Sequence, residues 1–213
     1  MDVSHLLDSL NDEQRRAVSA PPGSMLVLAG AGSGKTRVLV HRIAWLMQVE
    51  GVSPFGILAV TFTNKAAREM RSRIEELLER PIGGMWVGTF HGLAHRLLRQ
   101  HWREANLPEN FQILDSDDQL RLIKRLSKAL GINEDKWPPR QVQWYINAQK
   151  DEGLRAANIE HYGDEFTRTM LTVYTAYEEA CQRGGMVDFA EILLRAHELW
   201  LNNPGLLDHY QRR

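Results

Sequence analysis

The 213-residue sequence contains one cysteine, Cys181. That scarcity excludes an internal disulfide and a cysteine-based zinc site. No apolar run approaches the roughly 18 residues that a membrane helix needs. A signal-peptide pattern, an internal repeat and a low-complexity tract are all missing. Thiol economy and the missing leader fit the cytoplasm, with no membrane partner. Excess charge of either sign is missing as well: the net charge is −1. Residues 1–89 carry 10 Lys+Arg against 9 Asp+Glu, and residues 90–213 carry 16 against 18. Any polyanion site must therefore be a local patch.

What is present is organised around Met25 to Arg37, Met-Leu-Val-Leu-Ala-Gly-Ala-Gly-Ser-Gly-Lys-Thr-Arg. The apolar start predicts a buried strand, and the small-residue loop and Lys35-Thr36 lead into a helical pattern. This is the order of a phosphate-binding P-loop. Gly30, Gly32 and Gly34 let the backbone turn its N–H groups toward phosphate oxygens, with Ala29, Ala31 and Ser33 completing the loop. The following helix aims its positive end at the same place. Lys35 is placed to reach the β- and γ-phosphates, and the Thr36 hydroxyl to hold Mg²⁺. Ala29 stands where the general pattern begins with Gly.

Upstream, Asn11 and Gln14 have capping-box spacing. A Gln just before a P-loop can also pair with an adenine edge, because its amide both donates and accepts. Both readings stay open on these residues. Arg37 suits a solvated first turn or a stack on the base, worth on the order of 0.5–2 kcal/mol. The helix from about Lys35 to Val49 puts Val38, Leu39, Ile43, Leu46 and Met47 on its apolar side. Ile57–Thr61 predicts a parallel strand reached by a right-handed crossover. Thr63 then caps a helix with Ala67, Met70, Ile74 and Leu77 on its core face. Phe62 lies at a strand's C-terminal end, where open α/β sheets bind ligands, and could serve as a stacking platform for a nucleic-acid base or simply pack. Met85–Thr89 predicts a third strand.

The helix from Phe90 to Arg103 contains no acid, so His91, His95, Arg96, Arg99, His101 and Arg103 make it locally basic over a stripe of Leu93, Leu97 and Leu98. His91 and His95 lack a third ligand for a metal. Contact with nucleic-acid phosphate is the better-supported reading. Beyond it helices dominate, which places a boundary near residue 89 or 90. Phe111–Asp115 is rejected as a metal-holding strand, because Ser116 and Gln119 read as a capping box. The helix that follows carries Leu120, Ile123, Leu126 and Leu130, with Arg121, Lys124, Arg125 and Lys128 on its other side. Pro138-Pro139 opens a helix with Trp144, Tyr145 and Ile146, ending at Gln149–Gly153. Phe166, Met170, Val173, Tyr177 and Cys181 mark a long amphipathic helix stopped by Gly184-Gly185, with Cys181 a structural thiol. Met186–Leu194 starts the last helix, which reaches about Asn202, and no closing element follows Pro204 and Gly205.

Several of these stretches together resemble the superfamily 1A DNA helicases of the UvrD/Rep/PcrA group. Leu10-Asn11…Gln14 resembles the adenine-reading Q motif. Ala29–Arg37 resembles motif I, with Ala29 as the group writes it, and Ala59–Met70 resembles motif Ia. Val87–Arg96 resembles the next DNA-contacting motif, and Val187–Leu193 the segment before motif II. The likeness covers the whole chain. It implies a fold class of α/β: a partial RecA-like P-loop domain (1A) over residues 1–89, then a mostly helical subdomain (1B) over 90–213. It implies ATP and Mg²⁺ as cofactors, held by Gln14, the loop from Ala29 to Thr36, and Arg37. It implies that Phe62, Thr63, Asn64, Thr89, His91 and Arg96 face single-stranded DNA, and that basic residues of the helical part touch a single-strand/duplex junction.

The activity implied is that of an ATP-dependent 3′→5′ helicase acting in DNA repair. The group's Asp-Glu-x-x-Asp segment, whose carboxylates hold the metal and activate water, does not occur in these residues. The later motifs and the second RecA-like domain are absent too. The chain therefore reads as an N-terminal piece, inactive without the rest of the helicase, whose incomplete sheet leaves a strand edge unpaired. The alternative is a stand-alone truncated module that binds nucleotide or DNA without catalysis. A small-molecule P-loop kinase is disfavoured by Gln14 and by the Phe62 and His91 segments.

Overall fold

The computed structural model describes residues 3–160 and 163–213. It divides into two compact units. The first runs to Leu93 and takes in His209–Arg213, and the second is Ala94–Asp208. The fold class is the expected one: short parallel strand pairs with flanking helices, then a helical region.

In the first unit, α1 (Asp12–Ser19) and α2 (Lys35–Gln48) precede β1 (Leu58–Thr61), α3 (Asn64–Leu78) and β2 (Trp86–Thr89). Strands β1 and β2 pair in parallel, with Leu58 opposite Trp86 and Thr61 opposite Thr89. Helix α3 is the crossover between them, as a parallel pair requires. The Thr63 hydroxyl caps α3 by accepting from Ala66 N at 3.1 Å. Ala67, Met70, Ile74 and Leu78 are buried on it. Helix α2 buries Val40, Ile43, Ala44 and Met47. Leu39, expected inside, is exposed, because the buried stripe is rotated toward Val40.

The expected strand at Met25–Ala29 does not form. The segment is irregular, and Leu26 and Leu28 are 81% and 85% exposed. A strand exists only through its ladder, since each backbone N–H and C=O needs a partner. Among the described residues the sheet holds β1 and β2 alone, and neither pairs with this segment.

The second unit is built on α5 (Ser116–Ala129), α6 (Pro139–Asp151), α7 (Glu165–Gly184) and α8 (Phe189–Asn202). Their core is Leu122, Ile123, Val142, Ile146, Met170, Val173, Tyr174, Tyr177 and Cys181. Helix α4 (Phe90–Gln100) precedes them, and α9 (Pro204–Gln211) follows them. Phe166 and Leu130, expected in the core, are 37% and 42% exposed at the helix ends.

Three local expectations are corrected here. Gln112–Leu114 is a strand (β3), paired in parallel with a second three-residue strand (β4), Met186–Asp188. Helix α8 therefore starts at Phe189, after β4. Asp115, not Ser116, caps α5: its Oδ1 accepts from Asp117 N at 2.9 Å and Asp118 N at 2.8 Å. Gln119, freed from the expected box, turns into the core. Finally, α8 ends at Asn202 as expected, but a further helix follows: Pro204 opens α9, as Pro in a first helical turn does. No helix of the described residues is long and apolar enough to cross a membrane.

Candidate nucleotide site and nucleic-acid interface

The P-loop turns on two left-handed glycines, Gly32 at φ 74° and Gly34 at φ 85°. Gly34 is the N-cap of α2, and a Cβ there would stand 2.8 Å from Gln14 Nε2. The loop is tied internally. The Ser33 hydroxyl donates to Gly30 O at 2.7 Å. Lys35 Nζ donates to Ala29 O at 2.8 Å and Gly30 O at 2.7 Å. The lysine thus folds back over the concavity of its own loop. The first N–H groups of α2 have no intrahelical acceptor by geometry, and the helix dipole adds to their pull on an anion. Thr36 and Arg37 are exposed in this first turn.

Gln14 does two things at once. It completes a capping box with Asn11, its N–H donating to Asn11 Oδ1 at 2.9 Å and its Oε1 accepting from Asn11 N at 3.1 Å. Its Nε2 also donates to Ser33 O at 3.1 Å, inside the P-loop. An amide has two N–H donors and two oxygen lone pairs. One of each is used, and one of each is left, which is the pair an adenine edge requires. A cavity of about 540 Å³ brings Gln14, Ala29, Ser33 and Lys35 together with Met25, Leu26, Val27, Leu28 and Val38. Gly30, Ala31, Gly32, Gly34, Thr36 and Arg37 lie outside its lining.

In the same unit, the parallel strands end in matched Thr-Phe pairs. Thr61 and Thr89 are register partners, and each is followed by an exposed phenylalanine: Phe62 at 93% and Phe90 at 60%. The Thr63 and Thr89 hydroxyls accept from Ala66 N and Gly92 N, both at 3.1 Å. Each keeps its O–H for donation. Asn64 and His91 are exposed in the first turns of α3 and α4, and Arg96 is half-buried further along α4. Phe90, not singled out from the sequence, repeats the Thr-Phe pair of Thr61-Phe62.

The basic reading of α4 is narrower than its composition. Burial and then the nearby Arg99 lower the pKa of His95, so it is neutral at pH 7. Arg99 donates to His95 Nε2, Glu109 O and Phe111 O and stacks 3.8 Å from the Phe111 ring centre. Both residues serve the local fold of the second unit.

The model of the UvrD/REP helicase N-terminal domain matches residues 10–213. The chain belongs to the UvrD/REP helicase family. It is 69% identical over 213 residues to DNA helicase II of Escherichia coli K12, covering all of this chain and 30% of that protein. It is 57% identical over 217 residues to DNA helicase II of Haemophilus influenzae, again 30% of its length. It is 41% identical over 215 residues to the ATP-dependent DNA helicase PcrA of Leuconostoc citreum, covering 29% of it. The chain therefore spans about 30% of the length of the curated relatives it matches.

The segment Val187–Leu193, singled out by its likeness to this family, is the electrostatic centre of the helical unit. Lys150 Nζ, 2.7 Å from Asp188 Oδ2 and 2.9 Å from Glu191 Oε2, is buried with both. Tyr177 Oη donates to Asp188 Oδ2 at 2.6 Å, and Asp188 Oδ1 caps α8 through Glu191 N at 2.7 Å. Arg155 reaches Glu191 at 2.7 Å and Glu198 at 2.7 Å, and Arg195 reaches Glu191 at 2.8 Å. Burial alone would raise the Glu191 pKa, but Lys150, Arg155 and Arg195 outweigh it and hold the carboxyl well below its usual range. For Lys150, burial pulls down while Glu191 and Asp188 push up, and the net direction is up. Sequence reasoning read Lys150 as part of a helix end. The signal available was two acids, Asp188 and Glu191, inside the otherwise apolar run Met186–Leu194.

Proposed function

We propose that the chain is the ATP-binding and single-stranded-DNA-binding N-terminal portion of an ATP-dependent 3′→5′ DNA helicase and translocase. The carrying observation is Gln14: it is bonded into the P-loop through Ser33 and keeps one donor and one acceptor for a base. The relatives' names, DNA helicase II and ATP-dependent DNA helicase PcrA, support the same reading. Residues 1–89 act as the first part of a RecA-like domain and 90–213 as its helical subdomain. The protein works in the cytoplasm, in DNA repair, on single strands and single-strand/duplex junctions, together with the remaining domains of the helicase.

ATP enters with its phosphates over the P-loop. Lys35 exchanges the carbonyls of Ala29 and Gly30 for β- and γ-phosphate oxygens, a trade of neutral acceptors for charged ones. Ala31 to Thr36 supply backbone N–H groups, Gln14 selects the base, and Arg37 stacks on it. One hydroxyl at Thr36 suits Mg²⁺, which keeps several waters and takes few protein ligands beside the phosphates. When bound there, the ion neutralises charge spread over the phosphate oxygens. Phe62 stacks on a DNA base, while Thr63, Asn64, Thr89, His91 and Arg96 contact the strand.

Phosphoryl transfer also needs a group that positions the attacking water. No Asp-Glu-x-x-Asp segment occurs in these 213 residues, so they bind nucleotide without turning it over. The test is equilibrium titration with ATP and a turnover assay with single-stranded DNA, each with Lys35→Ala beside the unaltered chain. ATP binding lost in Lys35→Ala, with hydrolysis at background in both, supports the reading. DNA-stimulated hydrolysis that disappears in Lys35→Ala would overturn the inactivity of these residues alone. Undiminished ATP binding in Lys35→Ala would overturn the site.

A further inference from the structure

We infer that Arg42 is a positioning residue for base selection, acting through Gln14 by holding α1 against α2. The inference rests on the proposed reading of Gln14. Helix α1 has eight residues, too short to be stable by itself. Its last carbonyls have no intrahelical partner. Arg42, about two turns along α2 from Lys35, satisfies one of them, at Val18, and two carbonyls just past the helix end. One guanidinium nitrogen donates to Val18 O at 2.7 Å and to Ala20 O, and the other donates to Pro21 O at 3.1 Å. A cation at this end also opposes the negative pole of α1.

The neighbouring His41 secures the turn before α1. It is buried, with Nδ1 2.7 Å from Leu6 O. Two successive residues of α2 therefore tie down the chain before and after α1. Gln14 lies one turn, about 6 Å, upstream of Val18. Its far contact, Nε2 to Ser33 O at 3.1 Å, leaves little slack before the bond is lost. The same rod thus carries Lys35, Thr36 and Arg37 at one end and the clamp for the base-selecting helix further along. A planar fork meets three carbonyls at once, which a lysine's point charge cannot do.

The test compares ATP and GTP affinities in the full-length protein for Arg42→Met, Arg42→Lys, Gln14→Ala and the Arg42→Met/Gln14→Ala double variant, with thermal melting as the check on folding. Arg42→Met and Gln14→Ala should each weaken ATP about five- to tenfold, the value of one or two neutral hydrogen bonds, with GTP little changed. The double variant should bind ATP no worse than Gln14→Ala. Arg42→Lys should lose part of the preference at an unchanged melting point, and it carries the test if Arg42→Met does not fold. If Gln14→Ala loses the preference while both Arg42 variants keep it, the inference falls and the Gln14 reading stands. If Gln14→Ala keeps the preference, both fall. Equal loss of ATP and GTP in the Arg42 variants also overturns the inference, since it marks a structural role only.

Discussion

Lys150 Nζ stands 2.7 Å from Asp188 Oδ2 with both side chains almost wholly buried, and it joins the end of α6 to the start of α8. Asp188 accepts from four groups: Lys150, Tyr177, Gln119 and the backbone of Glu191. A buried charge so fully surrounded depends on every partner being present.

Lys150→Met should therefore destabilise the helical unit by about 3–5 kcal/mol, because it strands Asp188 and Glu191 with fewer cations. Urea unfolding of the full-length protein followed by far-UV circular dichroism measures it. A loss under about 1 kcal/mol would mean that the pair is replaceable by packing.

Glu191 gives this unit a pH dependence of definite sign. Its native carboxyl is held below the ordinary value of 4.5 by Lys150, Arg155 and Arg195 against the effect of burial. The unfolded chain then binds the proton more readily. The stabilisation is complete above about pH 4.5 and is lost as pH falls toward the depressed native value. Unfolding midpoints taken from pH 7 down to 3 should drop, and Glu191→Gln should flatten that slope while lowering the plateau. A slope unchanged in Glu191→Gln would assign the acid sensitivity to other carboxylates.

Cys181 should be inert in the folded protein. Burial pushes its thiol up to about 11, against the neighbouring Tyr177 hydroxyl and the charge of Lys150. At pH 8 almost no thiolate is present, and the side chain is buried. A thiol reagent should titrate Cys181 at the rate of unfolding, and at once in denaturant. Rapid labelling of the native protein would contradict the burial of this face of α7.

The P-loop, α2, the Thr63 cap and the core face of α3 were legible because each is written in local spacing: glycines at fixed offsets, a cap, a three-four repeat. The Met25–Ala29 strand was misread for a physical reason. Apolar residues mark a segment suited to a sheet, but only a neighbouring strand makes it one. Strands β3 and β4 went unseen because three residues carry no period, and their pairing joins distant parts of the chain. The ionic centre was hidden similarly, since Lys150, Arg155 and Asp188 lie apart in sequence and meet only in the packed unit. Capping chemistry was ambiguous by one residue: Asp115 and Ser116 are both good caps, and tertiary packing of Gln119 decided between them.

The paired Thr-Phe ends of β1 and β2 yield the prediction closest to function. Register places Thr61 beside Thr89, so Phe62 and Phe90 leave the same end of the sheet from adjacent strands. Exposed aromatic rings suit base stacking whatever the sequence, which is the role proposed for Phe62. Phe62→Ala should weaken single-stranded DNA binding by about 1–3 kcal/mol, the value of one base–aromatic stack. Phe90→Ala should cost less, because more of its ring is already covered by protein. Neither ring lies in the lining of the cavity beside the P-loop, so ATP affinity should stay unchanged in both. Phe62→Trp should retain binding, since a larger π-face stacks at least as well. Fluorescence anisotropy with a labelled oligothymidine, at two salt concentrations, separates the effects. Loss of stacking lowers affinity at both salts equally, whereas loss of a phosphate contact changes the salt slope. Wild-type affinity in Phe62→Ala would remove the sheet end from the DNA path.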